Sequence, residues 1–113
     1  MLLSDVIKAL NLEIVAGTGA MDAEVTGGYV SDLLSHVMGK AKSGQLWITM
    51  QGHQNIIAVA SLIGLAAVIV ADGIEAEESA AAKARDQEVV LCKTKLTAYE
   101  VAGRLYNMGI TGE

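Results

Sequence analysis

The sequence predicts an α/β fold in three layers, a mostly parallel sheet flanked by helices. Three observations predict it. Short runs at 46–50, 67–70 and 89–92 carry no charge and are rich in Val, Ile and Leu, as strands covered on both faces must be. Segments of helical composition at 55–62, 75–86 and 97–107 alternate with those runs, which is the pattern of βαβ units. Two of these helices carry end signals. Glu75, Glu77 and Glu78 crowd the start of one and Lys83 and Arg85 come late, matching the helix dipole. Thr97 and Glu100 form a T-x-x-E capping box at the start of the other.

Taken in order, Ser4 is read as the cap of a first helix over 5–10, with Asp5 in its first turn. Residues 12–15 alternate and predict a short strand, ended by Gly17-Thr18-Gly19. Glu24-Val25-Thr26 leads into a strand or extended segment at 27–30, loosened by its glycine pair. Ser31 caps a second helix whose apolar face is Leu34, Val37, Met38 and Ala41, and Ser43-Gly44 closes it. Regular alternation begins at Leu46. The parallel part of the sheet is therefore expected from there onward, with the first 45 residues as its edge. Ile56 to Ala71 is free of charge over 16 residues, short of the roughly 20 a membrane span needs. It reads instead as a buried helix, a break near Gly64 and a buried strand.

With 113 residues there is room for one domain, 1–113. Apolar residues make up 52 % of the chain, Phe is absent and Trp occurs once, so the core is aliphatic. Without proline, turns fall to Gly, Asn, Asp and Ser. A formal charge of −5 lacks the basic patch that gives affinity for nucleic acid or anionic lipid, and neither is expected as a partner. Cys92 is the sole cysteine, and no basic stretch precedes an apolar one at the start. A cytoplasmic, reducing location follows.

Ligands of open parallel sheets bind beyond the carboxyl ends of the strands. Here those ends offer Gln51, Gly52, His53 and Asn55 after the first regular strand, Asp72 and Gly73 after the second, and Thr94 after the third. Each runs toward a helix N-terminus, where free N–H groups favour an anion, and Gly52 and Gly73 permit close backbone approach. The expectation is a small anionic ligand, although Asp72 places a negative charge among the donors. No metal-ligand spacing, cofactor loop or nucleophile–histidine set is present, and Cys92 lies in an apolar run. No cofactor, metal or catalytic residue is assigned, and an enzyme is not expected. The helix at 55–62 is apolar around its circumference, which asks for burial on every side and suggests a homodimer.

The order strand, Gly52-His53-Gln54, apolar helix, Ile69-Val70-Ala71-Asp72-Gly73, acidic helix, strand, Thr94-x-x-Thr97-Ala98-Tyr99 resembles the DRTGG domain. The resemblance extends to Glu24-Val25-Thr26-Gly27-Gly28-Tyr29-Val30-Ser31-Asp32 and so covers nearly the whole chain. Where the family places Asp-Arg and Thr-Gly-Gly, this chain has His53-Gln54 and Ala71-Asp72-Gly73, keeping only the last glycine. The resemblance implies a fold like the N-terminal domain of HPr kinase/phosphorylase. It also implies a non-catalytic regulatory or interaction domain, homodimeric and accessory to a partner enzyme or signalling protein. A sensor of a nucleotide or other organic anion is the alternative.

Overall fold

The computed structural model describes residues 1–17 and 19–112, so Thr18, centre of the expected Gly17-Thr18-Gly19 turn, lies outside the described residues. The chain runs α1 (Leu3–Leu10), β1 (Glu13–Ala16), β2 (Gly27–Val30), α2 (Leu34–Lys40), β3 (Gln45–Thr49), α3 (Asn55–Ile63), β4 (Ala67–Val70), α4 (Glu78–Gln87), β5 (Leu91–Lys93) and α5 (Ala98–Asn107). The sheet order is β1-β5-β4-β3-β2. From β2 to β5 every pair is parallel, and β1 closes the other edge antiparallel to β5. The expectation that the parallel part begins at Leu46 is thus corrected. Gly27 to Val30 pairs in parallel register with Gln45 to Ile48. Two glycines and a tyrosine hide the strand pattern there, and pairing to a strong neighbour supplies what local propensity lacks.

Alternation along the central strands sends side chains to two cores. Leu46, Ile48, Ala67, Ile69 and Cys92 pack against Leu3, Val6 and Leu10 of α1 and Val101 and Leu105 of α5. Trp47, Val68, Val70 and Leu91 pack against Val37 of α2, Ile56 and Ile57 of α3, and Ala80 and Ala84 of α4. The layers are therefore α1 and α5, the sheet, then α2, α3 and α4, which is the predicted three-layer α/β class. Trp47 is fully buried, and its indole N–H donates to the Ser31 carbonyl at 2.8 Å.

Several helix starts differ from the sequence reading for a shared reason. The caps are set by what the core pulls in. The first helix begins at Leu3, not Asp5, because Leu3 is a core residue. Asp5 then lies in the first turn and its carboxylate accepts from the Leu2 N–H at 3.1 Å, while Ser4 is an ordinary exposed helical residue. In the same way Ser31 accepts from the Leu33 N–H at 3.0 Å but lies outside α2. Of the apolar face expected there, Val37 is buried and Met38 is exposed. The fourth helix begins at Glu78 rather than Glu75, and its acidic approach is used in a loop. Thr97 caps α5 as expected, accepting from the Glu100 N–H at 3.2 Å. The Glu100 carboxylate turns instead to Arg104 at 3.4 Å.

The third helix does not need burial all round. Ile56, Ile57, Val59 and Ala60 face the core, while Ala58, Ser61 and Leu62 face outward, Leu62 being 73 % exposed. Flanking α2 and α4 cover its sides within one chain. Among the described residues, no helix is long and apolar enough to cross a membrane.

Candidate functional site

The seven residues singled out from the sequence fall into two groups. In the loop after β3, the Gln51 side-chain amide donates to the Asp32 carbonyl. Asp32 in turn accepts from the Thr49 hydroxyl and the Met50 N–H, both at 2.7 Å, which pins this loop to the β2–α2 turn. The Gly52 carbonyl accepts from the Glu77 N–H at 2.8 Å. A Cβ on Gly52 would run into the Glu75 carbonyl oxygen and stand 2.9 Å from the Ala76 Cα. The close approach that Gly52 permits is therefore used by the chain's own backbone. His53 is exposed, its Nδ1 accepting from the Asn55 N–H at 3.3 Å at the start of α3.

The second group lies across β4 and β5. The Asp72 N–H donates to the Leu96 carbonyl at 2.7 Å, the Gly73 N–H to the Thr94 carbonyl at 3.0 Å, and the Thr94 N–H to the Val70 carbonyl at 3.0 Å. Asp72 and Gly73 both hold positive φ, 64° and 71°, which turns the chain sharply after β4. The Thr94 hydroxyl accepts from the Leu96 N–H at 3.1 Å.

Topology explains why the two groups part. The crossovers through α3 and α4 both run over the same face of the sheet, so the loops after β3 and β4 turn the same way and close on each other. After β5 the chain passes to the opposite face, into α5. Connections that leave neighbouring strand ends toward opposite faces leave a crevice between them. A cleft of about 480 Å³ lies there, within the size range of small-ligand sites. Gly73, Ile74 and Glu75 line one wall and Lys93 to Leu96 another, with Leu10, Asn11 and Glu13 opposite and Arg104 of α5 at one side. Of the predicted residues it takes Gly73 and Thr94. Gln51, Gly52, His53, Asn55 and Asp72 do not line it.

The charge of the cleft is the opposite of the chain's. Lys93, Lys95 and Arg104 stand against two carboxylates, Glu13 and Glu75. The Lys93 ammonium lies 3.0 Å from Glu75 and 3.6 Å from Glu13, tying the β4–α4 loop to the edge strand. The hydrogen bond to Glu75, aided by Glu13, holds this lysine above its usual pKa. Arg104 is shared with Glu100, and Lys95 makes no ion pair among the described residues. Ile74, Leu96 and Leu10 supply apolar wall beside the charges. Such a site can hold an anionic group on Lys95 and Arg104 and an apolar or aromatic body beside it.

These cations were hard to find in the sequence. Lys93 and Lys95 flank Thr94 and could have been included as neighbours of a strand end. Arg104 and Glu13 reach the cleft from distant parts of the chain and carry no local signal. Elsewhere, burial pushes the Cys92 thiol up to about 12, which leaves it protonated and unreactive near neutral pH. Among the described residues, no three His, Cys, Asp or Glu side chains are grouped so as to hold a metal.

Against known proteins, no family model and no curated protein matches the chain. A solved structure does. The chain is similar to the crystal structure of the CBS and DRTGG domains of the regulatory region of Clostridium perfringens pyrophosphatase, complexed with the activator diadenosine tetraphosphate. The TM-score is 0.76 at 14 % sequence identity. The match covers 96 % of this chain and 47 % of that one, so the chain spans about half the length of its neighbour. At this identity the likeness is one of fold.

Proposed function

We propose that the chain is a non-catalytic regulatory domain of the DRTGG kind, which takes a small organic anion in the β4–β5 cleft and acts as an accessory to a partner enzyme or signalling protein. The observation that carries this reading is the cleft itself. In a chain of net charge −5, three cations converge where the connections leaving β4 and β5 part to opposite faces. The fold likeness supports the regulatory part, since the neighbouring structure is a regulatory region bound to a nucleotide activator. The resemblance of the sequence to DRTGG domains points the same way.

The ligand set is Lys95, Arg104, Thr94 and Gly73, with Lys93 as the brace that keeps Glu75 and Glu13 in place. A nucleotide is the class that fits best, its phosphates on Lys95 and Arg104 and its base along Ile74 and Leu96. Asp72 lies outside the cleft and does not oppose the phosphate. The homodimer stays part of this reading on the DRTGG resemblance alone, since α3 is covered within one chain.

The test is thermal unfolding with a panel of nucleoside mono-, di- and triphosphates and organic acids. A ligand present at a hundred times its Kd stabilises by about 2.7 kcal/mol, or roughly 11 °C at ~4 °C per kcal/mol for a chain this size. The double change Lys95→Ala with Arg104→Ala should abolish the shift and leave the unliganded midpoint nearly unchanged, because both side chains are exposed. No shift with any member of the panel at millimolar concentration contradicts the reading.

A further inference from the structure

The charges that line the cleft are not equally open to it. The Lys93 side chain is 26 % exposed, against 70 % for Glu13 and 78 % for Glu75, the two carboxylates that hold it. What this trio offers a ligand is therefore mainly carboxylate oxygen. Lys95 and Arg104 are left for the anion. The cleft thus presents an acceptor region beside a cationic one, with the apolar side chains of Ile74 and Leu96 along it.

The fold builds the acceptor region from two distant segments. Pairing of the edge strand β1 with β5 sets Glu13 directly across from Lys93. The sharp turn at Asp72 and Gly73, both at positive φ, brings Glu75 to the same ammonium. Glu75 meets it at 3.0 Å and Glu13 at 3.6 Å, so the two oxygens that touch it lie within about 7 Å of each other. A carboxylate has about four lone-pair sites, so both residues keep acceptor capacity beyond what Lys93 takes. Hydroxyls on two adjacent carbons, each donating over about 2.7 Å, fit between acceptors at that spacing.

A nucleotide carries such a pair on its sugar, between phosphate and base. With phosphates on Lys95 and Arg104 and the base along Ile74, the sugar falls beside Glu75, the next residue in the chain. Acidic side chains on ribose hydroxyls are a recurring device of nucleotide sites in open α/β sheets. We infer, resting on the nucleotide reading of the cleft, that Glu13 and Glu75 together accept from the two ribose hydroxyls and make the cleft selective for ribonucleotides over deoxyribonucleotides. Lys93 is then a positioning residue, which holds both acceptors at the right spacing.

Isothermal titration calorimetry with adenosine diphosphate and deoxyadenosine diphosphate tests this on the whole chain. The wild type should bind the deoxy form about tenfold more weakly or worse, the effect of losing one hydrogen bond to a charged acceptor. In the double change Glu13→Ala with Glu75→Ala the two ligands should bind alike. Freeing Lys93 from its carboxylates raises affinity for both, so the ratio of the two affinities, not either alone, reports the hydroxyl contacts. Equal binding of both ligands by the wild type overturns the ribose contact and leaves the anion cleft standing. A preference that survives in the double variant also overturns it, since other groups then read the sugar. Binding of neither ligand overturns the nucleotide reading of the cleft, and the ribose contact with it.

Discussion

Replacing Gly52 by alanine tests whether the loops after β3 and β4 are closed on each other. The added Cβ meets the Glu75 carbonyl oxygen and comes within 2.9 Å of the Ala76 Cα and 3.0 Å of the Glu75 carbonyl carbon. All three are backbone atoms, so no rotamer change relieves the contact. The segment is held in place by the Glu77 N–H on the Gly52 carbonyl at 2.8 Å and by Glu75 on Lys93 at 3.0 Å. Overpacking of this kind costs about 1–3 kcal/mol, and loss of the hydrogen bond adds about 1 kcal/mol. The sum, about 2–4 kcal/mol, corresponds to a melting point roughly 8–16 °C lower for a chain of this length. Gly73→Ala is the control. Its φ of 71° makes alanine strained, but no atom lies near its Cβ, so about 1 kcal/mol is expected. Urea unfolding followed by circular dichroism reads both, with the slope unchanged if the denatured state is unaltered. A Gly52→Ala protein as stable as Gly73→Ala or more so would refute the closed loop, and with it the reason the cleft lies at β5.

Two further outcomes follow from the core and the caps. Cys92 should resist thiol–disulfide exchange in the native state near neutral pH and react only at the rate of unfolding, measured with a chromogenic disulfide reagent. Its pKa is raised in the fold from 9.0 to about 12, so the stability it carries is complete below pH 9 and is lost as pH rises toward 12. The raised pKa of Lys93 acts in the same direction. Alkaline unfolding should therefore steepen above pH 9, by up to about 1.4 kcal/mol per pH unit from the thiol, and Cys92→Ala should remove that part of the slope. Thr97→Ala should cost about 1 kcal/mol by removing the cap of α5, read as a lower urea midpoint, whereas Ser31→Ala, outside its helix, should cost less.

The sheet from β3 onward was legible because its strands are buried on both faces and alternate with helical segments, one of them capped by Thr97. What escaped was whatever depends on pairing. Gly27 to Val30 reads as strand or extended segment along the chain but shows its parallel pairing only against β3, and Glu13 to Ala16 shows its antiparallel sense only against β5. The same limit governs the site. All three strand-end loops look alike along the chain, each with a turn residue leading to a helix. Which two separate depends on the face to which each following helix crosses, and that is a property of the assembled sheet. Thr94 and Gly73 were found because they sit at strand ends. Arg104 was not, since it reaches the cleft from the far end of the last helix, and Gly52 was read as open to a ligand although Glu75 fills the space.

Binding of an anion in the cleft at β5 is what the proposed function stands on. Titration of the isotopically labelled chain with adenosine nucleotides, followed amide by amide by nuclear magnetic resonance, tests it most directly. Saturable shifts are expected at Gly73, Ile74, Thr94, Lys95 and Arg104, with Gln51 to Asn55 left still. Shifts confined to the Gln51–Asn55 loop, or none at all at millimolar nucleotide, would contradict it.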